Sequence, residues 1–215
     1  ITAYFLLCLS LQGNELSWPN WLGPNHDGSL DSFALLVPPE GKDYALGWSV
    51  KVGRGWASPV CDSKVLILHE RDGEKEVLRA MDSSSGKESW RFSYRSGYQD
   101  SFGIEDGPRS TPSVLEGKVW AYDSDMSLYC LSAKDGKLIW KVNVLKEHAG
   151  INPRWENACS PLIVDDLVII YGGGPKESFL AFDKDSGKVK WKTGSELATH
   201  ATPILAKIHG VEQVI

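Results

Sequence analysis

The chain of 215 residues is 42% hydrophobic and 24% charged, with a formal charge of −5, nine Trp and 21 Gly. That balance excludes a disordered polymer. With no run of Lys or Arg longer than two, it also lacks the basic face that a nucleic acid or an anionic bilayer would require.

The first eleven residues, ITAYFLLCLSL, are apolar and uncharged. They are too short to cross a bilayer as a helix and suit the apolar core of a secretory signal; a buried N-terminal strand is the alternative. The sequence begins at Ile1 and has no Lys or Arg before Lys42, so the basic head of such a signal is expected ahead of it. Residues 1–17 are therefore expected to be an export signal, 18–47 an N-terminal extension and 48–215 the folded domain. No membrane span is expected apart from the signal, and export makes the protein periplasmic or secreted. Cys8 suggests a lipid anchor, but Leu7 stands where such sites have a small residue. Cys61, Cys130 and Cys159 are widely spaced and form no C-x-x-C pair, so neither a disulfide framework nor a zinc site is indicated.

Beyond residue 47 the chain repeats itself. LRAMDSSSGKESW at 78–90, LYCLSAKDGKLIW at 128–140 and FLAFDKDSGKVKW at 179–191 superpose without gaps. In each, Lys follows the Gly and Trp stands four residues beyond it, and Gly86, Gly136 and Gly187 are 50 and 51 residues apart. A second landmark keeps the same phase: ASPV at 57–60, STPSV at 110–114, CSPLI at 159–163 and ATPIL at 201–205. After each Pro come two short apolar runs split by a turn such as CDSK, LEGK or VDDL, then the A-x-D run, then the run that carries the Trp. Each unit therefore reads as four strands joined by hairpins, all-β. In DSSSGK the Asp can bond the turn amides while Gly takes the positive φ that closes it. Burying each Trp removes about 150–250 Å² from water. Four twisted strands cannot bury both faces alone, so the units must stack, and stacked four-stranded units of this period make a propeller. Trp-Asp propellers close each unit with that dipeptide at about 40–45 residues; here Arg91, Lys141 or Lys192 follows the Trp.

A-x-D-x-x-x-G-K-x-x-W resembles the tryptophan-docking motif of quinoprotein alcohol dehydrogenase-like (PQQ-type) β-propellers. That superfamily holds both PQQ-dependent dehydrogenases and non-catalytic outer-membrane assembly propellers. The second copy departs from the motif, with Cys130 for Ala and Ser132 for Asp. WPNWLGPNHDG at 18–28 resembles the opening of secreted bacterial members. The resemblance implies about seven or eight blades. Three are complete here, near 56–95, 109–145 and 157–193, so roughly half of the ring is expected outside this sequence. Trp48 opens WSVKV, a near copy of WKVNV at 140–144, and reads as an orphan fourth strand that completes the last blade.

In such propellers the strand that starts at the Pro landmark lies nearest the central channel. The residues three before each Pro, Trp56, Arg109, Ala158 and His200, then face one channel rim, near Trp155, Glu156, Asn157 and the loop 95–108. Arg109 could grip an anion or pair with Glu105 or Asp106 on the surface. Glu156 with Asn157 offers oxygen ligands of the kind Ca²⁺ takes, or simply caps a loop. His200 could move protons or be structural, and Trp56 or Trp155 could stack on a flat ligand or on a neighbouring blade. No catalytic residue and no phosphate cradle is assigned; YGGGP at 171–175 lacks the Lys-Ser/Thr and helix that such a cradle needs. A strong repeat beside sparse site chemistry points to a binding or assembly scaffold, with a protein, small-molecule or glycan partner at the rim. The alternative is a dehydrogenase of alcohols or polyols that uses PQQ and calcium.

Overall fold

A computed structural model describes residues 2–3, 17–30, 47–100 and 102–215. Three four-stranded antiparallel sheets follow one another along the chain. The first holds β3 (Val60–Asp62), β4 (Val65–Asp72), β5 (Lys75–Asp82) and β6 (Glu88–Arg95). The second holds β7 (Ser113–Leu115), β8 (Lys118–Tyr122), β9 (Ser127–Ser132) and β10 (Leu138–Asn143), trailed by the one-turn helix α1 (Val144–Glu147). The third holds β11 (Leu162–Val164), β12 (Leu167–Tyr171), β13 (Phe179–Asp183) and β14 (Val189–Thr193). A hairpin of β15 (Leu205–Ile208) and β16 (Val211–Val214) comes after. Ahead of the sheets, β1 (Thr2–Ala3) pairs with β2 (Val50–Lys51). The sheets coincide with the three units read from the sequence. The rest of the expected signal, residues 1 and 4–16, and extension residues 31–46 lie outside the described residues. No helix among the described residues is long and apolar enough to cross a membrane.

Alternation along each strand sends successive side chains to opposite faces, and here both faces are covered. On β8, Val119 and Ala121 pack with Val60, Ile67 and Trp90 of the first sheet. Trp120 and Tyr122, between them in sequence, pack with Val168, Ile170 and Phe182 of the third. The far face of the first sheet is closed by Trp48, Val50 and Val52, and that of the third meets Val214. The sheets are thus stacked face to face like blades.

The repeat residues make the stacking. Each fourth strand has a one-residue irregularity beside its Trp, between Glu88 and Trp90, Leu138 and Trp140, and Val189 and Trp191. Such a bulge re-aims the side chain. Trp48, Trp90 and Trp140 then lie on Gly86, Gly136 and Gly187 of the next turn, where a Cβ would come within 2.5, 2.6 and 2.7 Å of the ring. Their Nε1 atoms donate to the carbonyls of Ser83 (3.1 Å), Ala133 (2.8 Å) and Lys184 (3.1 Å), each three residues before its Gly. Asp82 bonds the amides of Ser84 and Ser85, and Asp183 those of Asp185 and Ser186, which fixes the turns. The geometry of Trp48 against the first sheet therefore equals that of Trp90 against the second.

A second seam runs along the Pro landmarks. The amide of Ser58 donates to the Thr111 hydroxyl, that of Thr111 to Ser160, and that of Ser160 to Thr202, each at 3.0 Å. The following Pro has no N–H and holds its predecessor extended. The predecessor's own amide is then free to reach the next unit, and a hydroxyl is the short acceptor that meets it. At the inner edge Trp18 exchanges two backbone bonds with Cys61 (2.7 and 2.9 Å), and Pro19 accepts from the Val114 amide at 2.7 Å. The opening segment thus ties the first two blades together.

Candidate functional site

The crossovers between blades, residues 96–112, 148–161 and 194–204, carry the sequence-predicted rim residues other than Trp56, which precedes the first blade. The first is built on its own acids. Asp100 accepts the amides of Phe102, Ile104 and Glu105 at 2.9–3.0 Å, and these bonds hold its carboxyl below the usual range. Asp106 and Glu105 take Arg54 at 3.2 and 3.9 Å. Gly107 lets the chain pass Arg54, where a Cβ would meet the carbonyl oxygen at 2.3 Å.

Arg109 therefore finds neither Glu105 nor Asp106; its Nη1 lies 2.9 Å from Glu156 Oε1. Glu156 sits fully buried at φ +66, a conformation unfavourable for a residue with a Cβ. Neither of its oxygens has an aligned hydrogen bond, and Arg109 Nη1 is likewise close but misaligned. Burial dominates over Ser124 and Arg109 and pushes the Glu156 carboxyl up to about 8. At neutral pH Glu156 is thus largely a neutral acid, while the guanidinium keeps its charge.

Behind this pair lies a buried network that sequence reasoning missed. The Glu76 carboxylate accepts from Tyr94 (3.0 Å) and from Ser124 at very short range, and approaches His69 Nε2 at 3.3 Å. His69 Nδ1 lies 3.3 Å from the Ser110 carbonyl. Burial opposes ionisation of Glu76, yet the bonds from His69, Ser124 and Ser96 outweigh it and hold the carboxyl at about 2. Asp123, which accepts from the Ser127 amide and Tyr129, is driven up to about 7 by burial and the Glu76 charge. A signal existed in hairpin length: β4 and β5 have eight residues each against five and six for β8 and β9. The surplus turns carry His69 and Glu76 to the next blade.

The remaining candidates separate. His200 is exposed, 5.8 Å from the Trp155 ring, which in turn lies 6.2 Å from Phe102. Arg154 stands over both rings, at 5.0 and 5.5 Å. Trp56, 63% exposed, makes no ring contact among the described residues; its amide and that of Ala57 bond the Pro108 carbonyl. Asn157 is buried, with Nδ2 donating to Asp123 O (3.3 Å) and Oδ1 accepting from the Cys159 amide (3.0 Å).

With this geometry in hand, residues 73–215 match the family described as outer membrane protein assembly factor BamB. The chain belongs to that family. This BamB-family propeller is 32% identical over 123 residues to the dehydrogenase subunit of the alcohol dehydrogenase (quinone) of Gluconacetobacter polyoxogenes, a match covering 54% of the chain and 17% of the relative. It is 30% identical over 108 residues to the tetrathionate hydrolase of Acidithiobacillus ferrooxidans, covering 43% and 22%. The matched stretches thus span about a fifth of those relatives or less. The quinohemoprotein alcohol dehydrogenase of Comamonas testosteroni superposes with a TM-score of 0.62 at 23% identity, over 81% of this chain and 26% of that one. BamB of Moraxella catarrhalis gives 0.53 at 18%, over 75% and 48%. These structural likenesses establish the propeller fold.

The sequence resemblance raises PQQ and calcium, and Glu156 with Asn157 does not fit the cation. Both ends of the Asn157 amide are committed to backbone. Glu156 is either protonated or already opposite a guanidinium, which repels a divalent cation. Among the described residues no group of three or more His, Cys, Asp or Glu is placed to hold a metal.

Proposed function

We propose that the chain is part of an exported propeller scaffold that binds its partner at the crossover rim and does not itself carry out redox chemistry. The single observation that carries this reading is the commitment of Asn157: both its amide atoms are bonded to backbone, which leaves only the Glu156 carboxyl, raised by burial and facing the Arg109 guanidinium, to meet a cation. The exposed rings of Phe102 and Trp155 beside it offer a contact surface in its place. Membership of a family described by outer-membrane assembly supports an extracytoplasmic location, as does the apolar opening segment.

The test is direct. Purified protein is titrated with PQQ and CaCl₂ by calorimetry, then assayed for dye reduction with primary alcohols and polyols. No heat of binding and no turnover are expected. Tight, calcium-dependent PQQ binding with turnover would reinstate the dehydrogenase and remove the scaffold.

A further inference from the structure

Resting on the reading of the rim as a binding surface, we propose that Phe102, Arg154, Trp155 and His200 form a subsite for an acidic glycan, a chain of pyranose residues bearing carboxylates. The four come from three successive crossovers: Phe102 between the first two blades, Arg154 and Trp155 between the next two, and His200 before β15. Their rings form an unbroken strip, with centroid steps of 6.2 and 5.8 Å. Those steps are close to the advance per residue of an extended β-linked sugar chain. Phe102 and Trp155 expose half or nearly half of their surface, so faces are free to stack on the C–H faces of sugars.

The charge around the strip selects the kind of sugar. Every acid of the neighbouring loop is consumed: Asp100 by backbone amides, Glu105 and Asp106 by Arg54, Glu156 by burial beside Arg109. Arg154 is exposed and stands over the two rings, with no ion pair or hydrogen bond from its guanidinium among the described residues. Stacked in this way, its planar fork is held with its N–H edges free, the geometry that grips a carboxylate through paired bonds. His200 is exposed too and, among the described residues, contacts the Trp155 ring. A strip of apolar faces under isolated positive groups complements a ligand whose negative charges are spaced one per ring.

Single-stranded nucleic acid also stacks on aromatics, but it needs a basic groove that tracks a charge at every phosphate, and the chain carries −5. An extended peptide is recognised through a free strand edge or side-chain pockets. Here the amides flanking the rim at Trp56 and Ala57 are both bonded to Pro108.

The experiment titrates the 215-residue chain by calorimetry with oligomers of β-1,4-linked mannuronic acid, with a neutral β-1,4-linked gluco-oligosaccharide, with polyglutamate and with oligo-dT. Binding of the mannuronate oligomer alone is expected, weakened about tenfold or more by Arg154→Gln, as for loss of a charged hydrogen bond, and also by Arg154→Lys, which loses the fork. In parallel, the ligand should shield indole emission from acrylamide in the unsubstituted protein. The proposal is overturned by no binding, by equal or tighter binding of the neutral sugar, polyglutamate or oligo-dT, or by unchanged affinity in Arg154→Gln. These outcomes are separate from the PQQ titration: cofactor binding would remove the scaffold reading, whereas a silent glycan titration without PQQ binding removes this subsite alone.

Discussion

Trp90 lies flat on Gly136, its six-membered ring so close that a Cβ on the glycine would fall 2.6 Å from it. Gly136 has φ +69, and Gly117, in the preceding hairpin of the same sheet, has φ +75 with nothing within 4 Å of a built Cβ. The two glycines therefore separate backbone strain from packing. Gly117→Ala should cost about 1 kcal/mol, the left-handed penalty alone. Gly136→Ala should cost about 3 kcal/mol, because displacing the indole adds an overpacking term. Urea midpoints of the two variants measure the difference; equal losses would mean that the indole does not clamp the turn.

The seam at the Pro landmarks yields a second comparison. Thr111→Val keeps the shape but leaves the half-buried Ser58 amide without its acceptor, at a cost of about 1 kcal/mol. Thr111→Ser retains the hydroxyl and should cost less than half of that. Equilibrium denaturation of both variants, with hydrogen exchange at Ser58, decides the matter.

Much of this was legible. The offset from Gly to Trp, read along the chain, defined the turn, the strand after it and the stacking, because one indole seated on the glycine of the next unit recurs three times. The Ser or Thr before each Pro was visible too, though its role was not: an amide-to-hydroxyl bond between units 42–53 residues apart leaves no spacing signal. The site was read less well. Arg109 and Glu156 were both singled out but not as partners, since Glu105 and Asp106 are nearer in sequence and only the fold gives those to Arg54. No motif or spacing singles out His69 and Glu76 in the sequence. They are buried because the longer first hairpin reaches the turn at Asp123 and Ser124.

Glu156 imposes a pH dependence of known sign. Its folded carboxyl titrates at about 8 against an ordinary 4.5, so the folded state holds the extra proton between those values. Its stabilising contribution is complete below 4.5 and is lost as pH rises towards 8, with a slope of about 1.4 kcal/mol per pH unit at most. Asp123, at about 7 against 3.8, adds the same sign over its own window. Glu156→Gln should therefore halve the slope between pH 4.5 and 7 and abolish it between 7 and 8. Guanidinium midpoints taken from pH 5 to 8.5 test this; an unchanged profile would assign the slope elsewhere.

Glu76 works in the opposite sense and couples to the same group. Held at about 2 against 4.5, it contributes stability that is present above 4.5 and is lost as pH falls towards 2. Glu76→Gln should remove that acid limb. Its negative charge also raises the carboxyls of Asp123 and Glu156, so neutralising it should move the alkaline limb to lower pH as well. Glu76→Ala should go further and cost about 3 kcal/mol at neutral pH, because His69, Tyr94 and Ser124 lose the buried carboxylate they share, although the contact between His69 Nε2 and the Tyr94 hydroxyl at 2.9 Å remains. The pair of variants, followed by denaturation across pH, distinguishes a charge effect that reaches Glu156 from a packing effect confined to the blade contact. If Glu76→Gln abolishes the acid limb but leaves the alkaline limb in place, the two carboxyls are electrostatically independent and Ser124 does not link them.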